Sequence, residues 1–233
     1  MENHIDPVTL ASKMDAEIDA LPTQYTQVIR QICRAYSQKI KATSPEYVLE
    51  FARQLLFKGN QRWIAYEIIA SHKAAFCSLG EAEVEELGQG INSWWTVDSF
   101  ARTSSGPAWL NGQITDNLIL KWARSSDLWW RRAALVSTVA LNIRSKGGKG
   151  DVRRTLEICY LLVDDHTDMV VKAMSWALRE LVVHDPVTIN EFLDEHKHKL
   201  AARVKREVRN KLKVGLKTPK RNGMKKSPHE HQV

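Results

Sequence analysis

The sequence predicts an all-α fold, arranged as an α-solenoid of antiparallel helix pairs with a basic groove on its concave face. Apolar residues recur at three- and four-residue spacings almost throughout the 233 residues, which is the period of an amphipathic helix. Helix starts then recur at intervals of about 33, 34, 40 and 33 residues, and paired helices at such a period are typical of α-solenoids. The predicted starts are Asn60, Ser93, Asp127, Thr167 and Leu200.

Three helices are predicted before this series, and a proline marks the start of each one. Proline suits the first turn of a helix, because the N–H that it lacks would have no partner there. Ser44 precedes Pro45 and can cap the third helix with its hydroxyl group. That helix is expected to stop at the turn Lys58-Gly59-Asn60. The predicted helices cover about 7–21, 22–42 and 45–56.

Each start in the series follows another predicted helix, so the chain alternates between two sets of helices. Glycines or Asp-Pro steps separate the helices at regular places, which favours the solenoid over the alternative, an irregular helical bundle. The longest interval contains the sequence SKGGKG at 145–150, which predicts a flexible loop insertion. The preceding helices cover about 45–57, 80–88, 113–124, 150–163 and 186–196.

The composition is that of a water-soluble helical protein. The three cysteines are far apart and each lies in an apolar helical pattern, which indicates buried reduced thiols rather than disulfides or a zinc site. No apolar run approaches the roughly 20 residues that span a bilayer, and the first residues lack the pattern of a secretory signal. We therefore expect a cytoplasmic protein. The cysteines are Cys33, Cys77 and Cys159.

Positive charge is concentrated at the C-terminal end. The chain carries a net charge of +7, but residues 197–233 hold 13 Lys or Arg against two Glu, so residues 1–196 carry −4. A basic end favours a polyanionic partner, whereas the slightly acidic body confines any nucleic-acid surface to a local patch. We expect one helical-repeat domain over 1–216 and a disordered basic tail over 217–233.

The second helix of each pair carries the unusual side chains, and one such helix contains the sequence SWWTVDSFA. Trp94 and Asp98 lie one helical turn apart and share a face. A concave surface with tryptophans, cations and one carboxylate suits a nucleic-acid backbone and a reactive centre. The alternatives are that Asp98 pairs with Arg102 one turn later, and that Trp94, Trp95 and Phe100 are core residues.

Two later helices contain candidates of the same kind. Arg132 lies on an apolar face and needs a carboxylate or a phosphate, because an unpaired buried charge is costly; either partner fits. Arg131 is expected to point at solvent or at a backbone phosphate. Trp176, with the basic residues Lys172 and Arg179 nearby, is either a groove residue or a core residue.

Cofactor motifs are absent from the sequence. The GGKG sequence at 147–150 lacks the spacing and the preceding strand of a phosphate-binding loop, and His196 and His198 are too close together for a helical metal pair. No nucleophile–histidine arrangement can be placed. We expect neither a metal ion nor an organic cofactor.

The segments SWWTVDSFA, LWWRRAAL and KAMSWALRE resemble marker segments of the bacterial DNA alkylation repair glycosylases built from HEAT-like repeats, the AlkD family. The resemblance covers about residues 60–215 and is good in these three segments. In that family a Trp, an Asp one turn later, an Arg and a second Trp form the active cleft. Matched by motif, these residues are Trp94, Asp98, Arg132 and Trp176.

The resemblance implies a DNA N-glycosylase that excises cationic alkylated purines, such as 3-methyladenine and 7-methylguanine, from double-stranded DNA. The family is thought not to rotate the damaged nucleotide out of the duplex, and no metal or cofactor is then required. Asp98 would stabilise an oxocarbenium-like sugar, and Arg132 would hold a phosphate. We expect a monomer in the bacterial cytosol or nucleoid, with DNA contacts from Arg131, Lys172, Arg179, Lys205, Arg206 and Arg209.

A second interpretation is a non-catalytic helical-repeat module that binds DNA or another protein. The acidic body favours it, and so does the segment Ala42–Pro45, which keeps a proline but lacks the glycine and the Leu-Arg often found there in family members. A third interpretation is a structural scaffold in which every tryptophan belongs to the core.

Overall fold

The structure, a computed structural model, describes residues 5–57 and 62–219. Along both ranges the chain forms helices joined by short connections. These two ranges contain no strand. The helix start predicted at Asn60, the turn at 58–60 and the tail residues 220–233 lie outside them. The α-helices are α1 Pro7–Asp19, α2 Thr26–Lys39, α3 Pro45–Phe57, α4 Arg62–Ser71, α5 Lys73–Cys77, α6 Glu81–Gly88, α7 Trp94–Phe100, α8 Gly106–Leu110, α9 Asp116–Ala123, α10 Leu128–Asn142, α11 Val152–Leu161, α12 Asp168–Leu181, α13 Pro186–Glu195 and α14 Ala202–Val214.

Side-chain caps and prolines set several of the helix starts. The Ser44 hydroxyl accepts a hydrogen bond from the Tyr47 N–H at 3.3 Å, and α3 begins at Pro45, which confirms the predicted cap. Asp185 caps α13 in the same way, with Pro at its first position. The start predicted at Pro22 was wrong, because that proline lies in the connection before α2, which begins at Thr26.

Both helices of each predicted pair are present in the described residues. The second helices α7, α10, α12 and α14 start within two residues of the positions expected from the sequence, and α3, α6, α9, α11 and α13 precede the second helices. Two short elements, α5 and α8, were not anticipated. The predicted helix pairs are therefore confirmed as helices along the described chain.

The helices pack in two series, and in one of them the second helices contact each other in turn. Here α4 contacts α7, α7 contacts α10, α10 contacts α12 and α12 contacts α14, while α2 extends this series through its contact with α4. Each of α3, α6, α9, α11 and α13 packs against the second helix that follows it. Apolar side chains between the two series form a continuous buried cluster that includes Phe51, Tyr66, Phe100 and Phe192.

Polar contacts between neighbouring helices repeatedly join residues 32 to 37 positions apart. The donors and acceptors belong to successive helices of one series, so each contact spans one interval of the sequence pattern. The pairs include Arg53–Glu86, Asp98–Arg132, Ser105–Ser137, Asp116–Arg153 and Ser175–Glu207.

A π-helical segment, Ala101–Ser105, joins α7 to α8 and makes one continuous helical rod. The Gly106 N–H donates to the Ala101 carbonyl, which is the i to i+5 bond of a π-turn. Pro107 has no N–H and would crowd the carbonyl four residues earlier in a regular α-helix, so a wider turn before it relieves that clash. A Cβ at Gly106 would lie 2.8 Å from the Ala140 Cβ, which shows how closely this rod approaches α10.

The loop at 144–150 is held by backbone contacts at its glycines, although most of its side chains, including that of Lys146, are exposed. A short 3₁₀ turn, Arg144–Lys146, is followed by Gly147 and Gly150, both with a φ of +88°. The Gly148 and Gly150 N–H groups donate to carbonyls at the end of α10. A Cβ at Gly150 would come within 2.5 Å of His184, which only glycine avoids.

The thiols differ in exposure. Cys33 and Cys159 are buried, as predicted, and burial raises the pKa of Cys33 to about 12 and also raises the pKa of Cys159. Cys77 is exposed at the end of α5, so the prediction of three buried thiols was wrong for this residue. None of the described helices is long and apolar enough to cross a membrane.

Gly88 makes the tightest glycine contact with a side chain. A Cβ there would lie 2.3 Å from the Trp130 ring, which itself packs against Trp122 and Phe100. We expect Gly88→Ala to lower the free energy of unfolding by about 1–3 kcal/mol, because the indole must move inside a packed aromatic group. Urea unfolding measures this, with Gln89→Ala at the exposed neighbouring position as the control. Equal stability of both variants would contradict the packing described here.

Candidate functional site

A cleft of about 600 Å³ lies along the second helices, between α2, α4, α7 and α12. It brings together three of the four residues expected to act together, Trp94, Asp98 and Trp176. The walls also contain Trp63, Trp95 and Arg102. Four of the eight tryptophans of the chain therefore line one cleft.

The helical rod that begins at α7 supplies six of the twelve residues that line the cleft. Ser93 precedes α7, and its N–H and hydroxyl both bond to the Thr96 hydroxyl, which fixes the first turn. The cleft residues of this rod are spaced about four positions apart, wider than the α-helical repeat, and the π-segment keeps the later ones on the same face. These residues are Trp94, Trp95, Asp98, Ser99, Arg102 and Thr103.

Asp98 is held by a buried bidentate ion pair with Arg132. The Arg132 Nε and Nη2 donate to the two carboxylate oxygens at 2.9 Å each, and Nη1 donates to the Met169 carbonyl at 2.5 Å. The side chain of Arg132 is 6% exposed and that of Asp98 is 16% exposed. The partner of Asp98 is therefore Arg132 on α10, and the alternative pairing with Arg102 was wrong.

The same contacts correct the role expected of Arg132. Its three guanidinium nitrogens all donate to protein oxygens, and the side chain is buried behind the cleft wall. Arg132 is not among the residues that line the cleft. Of the two partners that an arginine on an apolar face can have, the structure has the carboxylate.

Asp98 lies between opposing electrostatic effects. Burial raises the pKa of its carboxyl above the ordinary value of an aspartate, while the hydrogen bonds and charge of Arg132 and the charge of Arg102 act to lower it. Each carboxylate oxygen uses one lone pair for Arg132, so the outward lone pairs remain available on the cleft side.

Trp176 faces the cleft from α12 and packs partly against the core behind it. Its indole N–H donates to Glu180 at 2.9 Å, which fixes the ring orientation. The guanidinium carbon of Arg102 lies 5.4 Å from the ring centroid, within the range of a cation–π contact.

The tryptophan pair of α7 is exposed. Trp94 is 56% exposed and Trp95 is 41% exposed, so assigning Trp95 to the core was wrong, whereas Phe100 is fully buried as predicted. Large apolar side chains at such exposure commonly mark a binding surface.

Several cleft residues were not among the candidates. Arg30 on α2 pairs with Glu67 at 2.9 Å and lies over the Trp63 ring at 5.5 Å, at the N-terminal end of the cleft. Lys146 reaches the cleft from the glycine-containing loop. For Trp63, its place on a second helix was a signal; for Lys146 the sequence offers none, since the loop path decides its position.

The residues expected to contact DNA lie outside this cleft. Arg131 pairs with Asp165 at 2.8 Å and donates to two main-chain carbonyls, so the expectation that it points at solvent or phosphate was wrong. Lys172 pairs with Asp168 at 2.6 Å. Of the others, Arg179 donates to Ser175, Lys205 to the Lys197 carbonyl and Arg209 to Asp194, while Arg206 is exposed.

No group of three His, Cys, Asp or Glu side chains that could hold a metal ion occurs within residues 5–57 and 62–219.

The family described as "DNA alkylation repair enzyme" matches this chain over residues 15–212, which includes the cleft and its walls. A search of curated proteins gave no match.

The buried pair predicts a characteristic pattern of stability. Arg132→Met should cost about 3–5 kcal/mol of unfolding free energy, because it leaves the Asp98 charge buried without its partner. The double variant Asp98→Leu/Arg132→Met should recover most of that loss, since neither charge then remains. Denaturant unfolding of the three proteins measures this, and a double variant as unstable as the single one would contradict it.

Proposed function

The chain belongs to the DNA alkylation repair enzyme family, and from this premise we propose that it is a DNA N-glycosylase. Its substrates are cationic alkylated purines, such as 3-methyladenine and 7-methylguanine, in double-stranded DNA. The observation that supports this most directly is a carboxylate, Asp98, held by a buried arginine at the wall of a tryptophan-lined cleft.

The proposed reaction is hydrolysis of the N-glycosidic bond. An alkylated purine that carries a positive charge is already a good leaving group, and its departure leaves positive charge on the sugar. A fixed carboxylate stabilises that oxocarbenium-like centre and orients water towards it, as in glycoside hydrolysis. Asp98 suits this role because Arg132 fixes its orientation before substrate binds.

The indoles suit a substrate whose charge is positive before bond cleavage and while it proceeds. The face of an indole is the negative end of its quadrupole and attracts a cation within about 6 Å; at Trp176 that cation is already Arg102, whereas Trp94 is exposed at the cleft. Because Trp94 and Trp95 are exposed at the cleft, they can pack on sugar and base without first being uncovered. The indoles that line the cleft also lower its local dielectric, which strengthens the effect of Asp98 on the developing charge.

We propose that the helices form an α-solenoid of HEAT-like repeats in a single domain over 1–216, with DNA bound along the second helices. Contacts between residues 32 to 37 positions apart support a repeat of that length. The cleft lies on the second-helix series, where successive repeats present equivalent surfaces.

We expect a monomer that binds a duplex from one side and leaves the nucleotide in the duplex. We propose the cytoplasm, the bacterial cytosol or nucleoid, as its location.

A second candidate is a binding module without catalysis. It is favoured by one observation, that both oxygens of Asp98 already accept hydrogen bonds from Arg132, as in a purely structural ion pair. Salt-sensitive DNA binding without base release would support this candidate.

Base release from duplex DNA containing 7-methylguanine tests the proposal. We expect release by the native protein and a loss of at least about 100-fold in the single-turnover rate with Asp98→Asn, which removes the negative charge but keeps the shape. Chromatography of the freed base measures this directly. Release that is unchanged by Asp98→Asn would refute the assigned role.

The chain contains a matched control in the neighbouring ion pair. Asp165 pairs with Arg131 across the same sequence separation and is buried to a similar degree, yet it lies outside the cleft. Asp165→Asn should cost stability as Asp98→Asn does, because each leaves an arginine without its anion. At a temperature where both variants are folded, only Asp98→Asn should lose base release.

The pKa of Asp98 predicts the acid limb of the pH profile. Catalysis requires the ionised carboxylate, so the rate should fall as pH falls through a pKa above the ordinary aspartate value of about 3.9. Arg102→Gln removes a charge that lowers this pKa and should move the limb to higher pH. Rates are measured after subtraction of the Asp98→Asn background, which accounts for spontaneous depurination in acid. A limb that moves to lower pH, or not at all, would contradict the assignment.

A further inference from the structure

Two cations in the cleft have no acidic partner. Arg102 and Lys146 both line it, and neither forms an ion pair with a carboxylate of the described residues. Several basic side chains on neighbouring helices do form ion pairs: Arg30 with Glu67, Arg131 with Asp165, Arg132 with Asp98, Lys172 with Asp168 and Arg203 with Glu207. Arg62, Arg179 and Lys205 also form no ion pair within the described part of the chain, but none of the three lines the cleft.

Lys146 is bonded to the main chain of Arg102. The Lys146 ammonium donates to the main-chain carbonyl of Arg102 at 3.2 Å. Burial and the charge of Arg102 both lower the pKa of Lys146, which means that its charged form is disfavoured here. Two like charges in one cleft are costly when the cleft holds no anion, and an anion bound between them would remove that cost.

Arg102 and Lys146 are positioned by two different segments, the π-helical segment and the loop at 144–150. The π-segment puts Arg102 on the cleft face of its rod, and the guanidinium lies over the Trp176 ring, which leaves its N–H edges available. Lys146 ends the 3₁₀ turn of a loop whose Gly148 and Gly150 leave no space for side chains. The backbone of this loop therefore sets where the Lys146 side chain begins, and its hydrogen bond to the Arg102 carbonyl directs it to the cleft.

We propose that Arg102 and Lys146 together form a binding site for a phosphate group of the DNA backbone, next to the sugar that faces Asp98. This inference rests on the proposed function, since it takes the anion to be a phosphodiester of the bound duplex. It gives the phosphate contact of the cleft to two residues other than Arg132, which is buried and bonded to Asp98 and to the Met169 carbonyl.

The proposed phosphate site lies next to Asp98, the residue proposed to face the reacting sugar. The charge of Arg102 acts on the Asp98 carboxyl, one helical turn before it. A phosphodiester bound by Arg102 would hold its own sugar within reach of Asp98, because adjacent groups of one nucleotide are separated by only a few bonds. The two cations are therefore positioning residues: they hold the substrate and do not take part in bond cleavage.

The dependence of DNA affinity on salt tests this inference. Each phosphate contact contributes about 0.9 to the slope of log K against log salt concentration for duplex DNA. We expect a slope smaller by about 0.9 in Lys146→Gln and in Arg102→Gln, and by up to about 1.8 in the double variant. Lys146→Arg, which keeps the charge, should retain the native slope. Binding to a short undamaged duplex is followed by fluorescence anisotropy from low to moderate salt.

Lys13→Gln is the matched control, because Lys13 is an exposed lysine on α1 outside the cleft. A slope change equal to that of Lys13→Gln would reduce the effect to general loss of charge and overturn the proposal. Thermal melts confirm that each variant is folded. In single-turnover assays the half-saturating protein concentration should rise at least several-fold in the double variant, with a smaller change in the rate at saturation.

The outcomes separate this inference from the proposed function. If the native protein releases base while the cleft variants keep the native slope, the phosphate site is wrong and the glycosylase assignment stands. If the native protein neither binds DNA nor releases base, the proposed function fails, and the phosphate site fails with it. If it binds with the expected slopes but releases no base, the site stands and the binding-module interpretation replaces the enzyme.

Discussion

The buried ion pair between Asp98 and Arg132 is the interaction on which the cleft depends. It connects α7 to α10, and the bond from Arg132 to the Met169 carbonyl extends the connection to α12. Burying these charges costs free energy, which their bidentate geometry offsets. The pair therefore fixes how three successive helices meet. A hydrophobic replacement could supply stability, but it would remove the negative charge that Asp98 presents to the cleft.

Neighbouring arginines on α10 show how one helix serves two different contacts. Arg132 pairs with a residue 34 positions earlier, and Arg131 pairs with a residue 34 positions later. Consecutive helical residues point about 100° apart. Arg132 therefore reaches Asp98 on α7, while Arg131 reaches Asp165 in the connection before α12. Both ion pairs therefore join residues 34 positions apart. A shift of α10 relative to α7 would move the Asp98 carboxylate with it.

The cleft combines features that do little for stability. Trp94 and Trp95 are exposed, two cations lie together without an acidic partner, and Asp98 is held where burial raises its pKa. Features of this kind cluster where a ligand completes the contacts. A cationic base, an electron-poor sugar and a phosphodiester would each meet a matching group there, which is the physical basis of the proposed repair function.

The sequence by itself determined the helices, their pairing along the chain, and three segments whose motifs resemble the family to which the chain belongs. These depend on local periodicity, on breakers and on side-chain types, all of which can be read from neighbouring residues. Only the tertiary structure decided that Asp98 pairs with Arg132, that Trp95 faces the cleft, and that Lys146 reaches it. Helical periodicity places a residue on a face but does not say which face meets which partner, and Lys146 depends on a glycine-containing loop whose path is set by packing against helices distant in sequence.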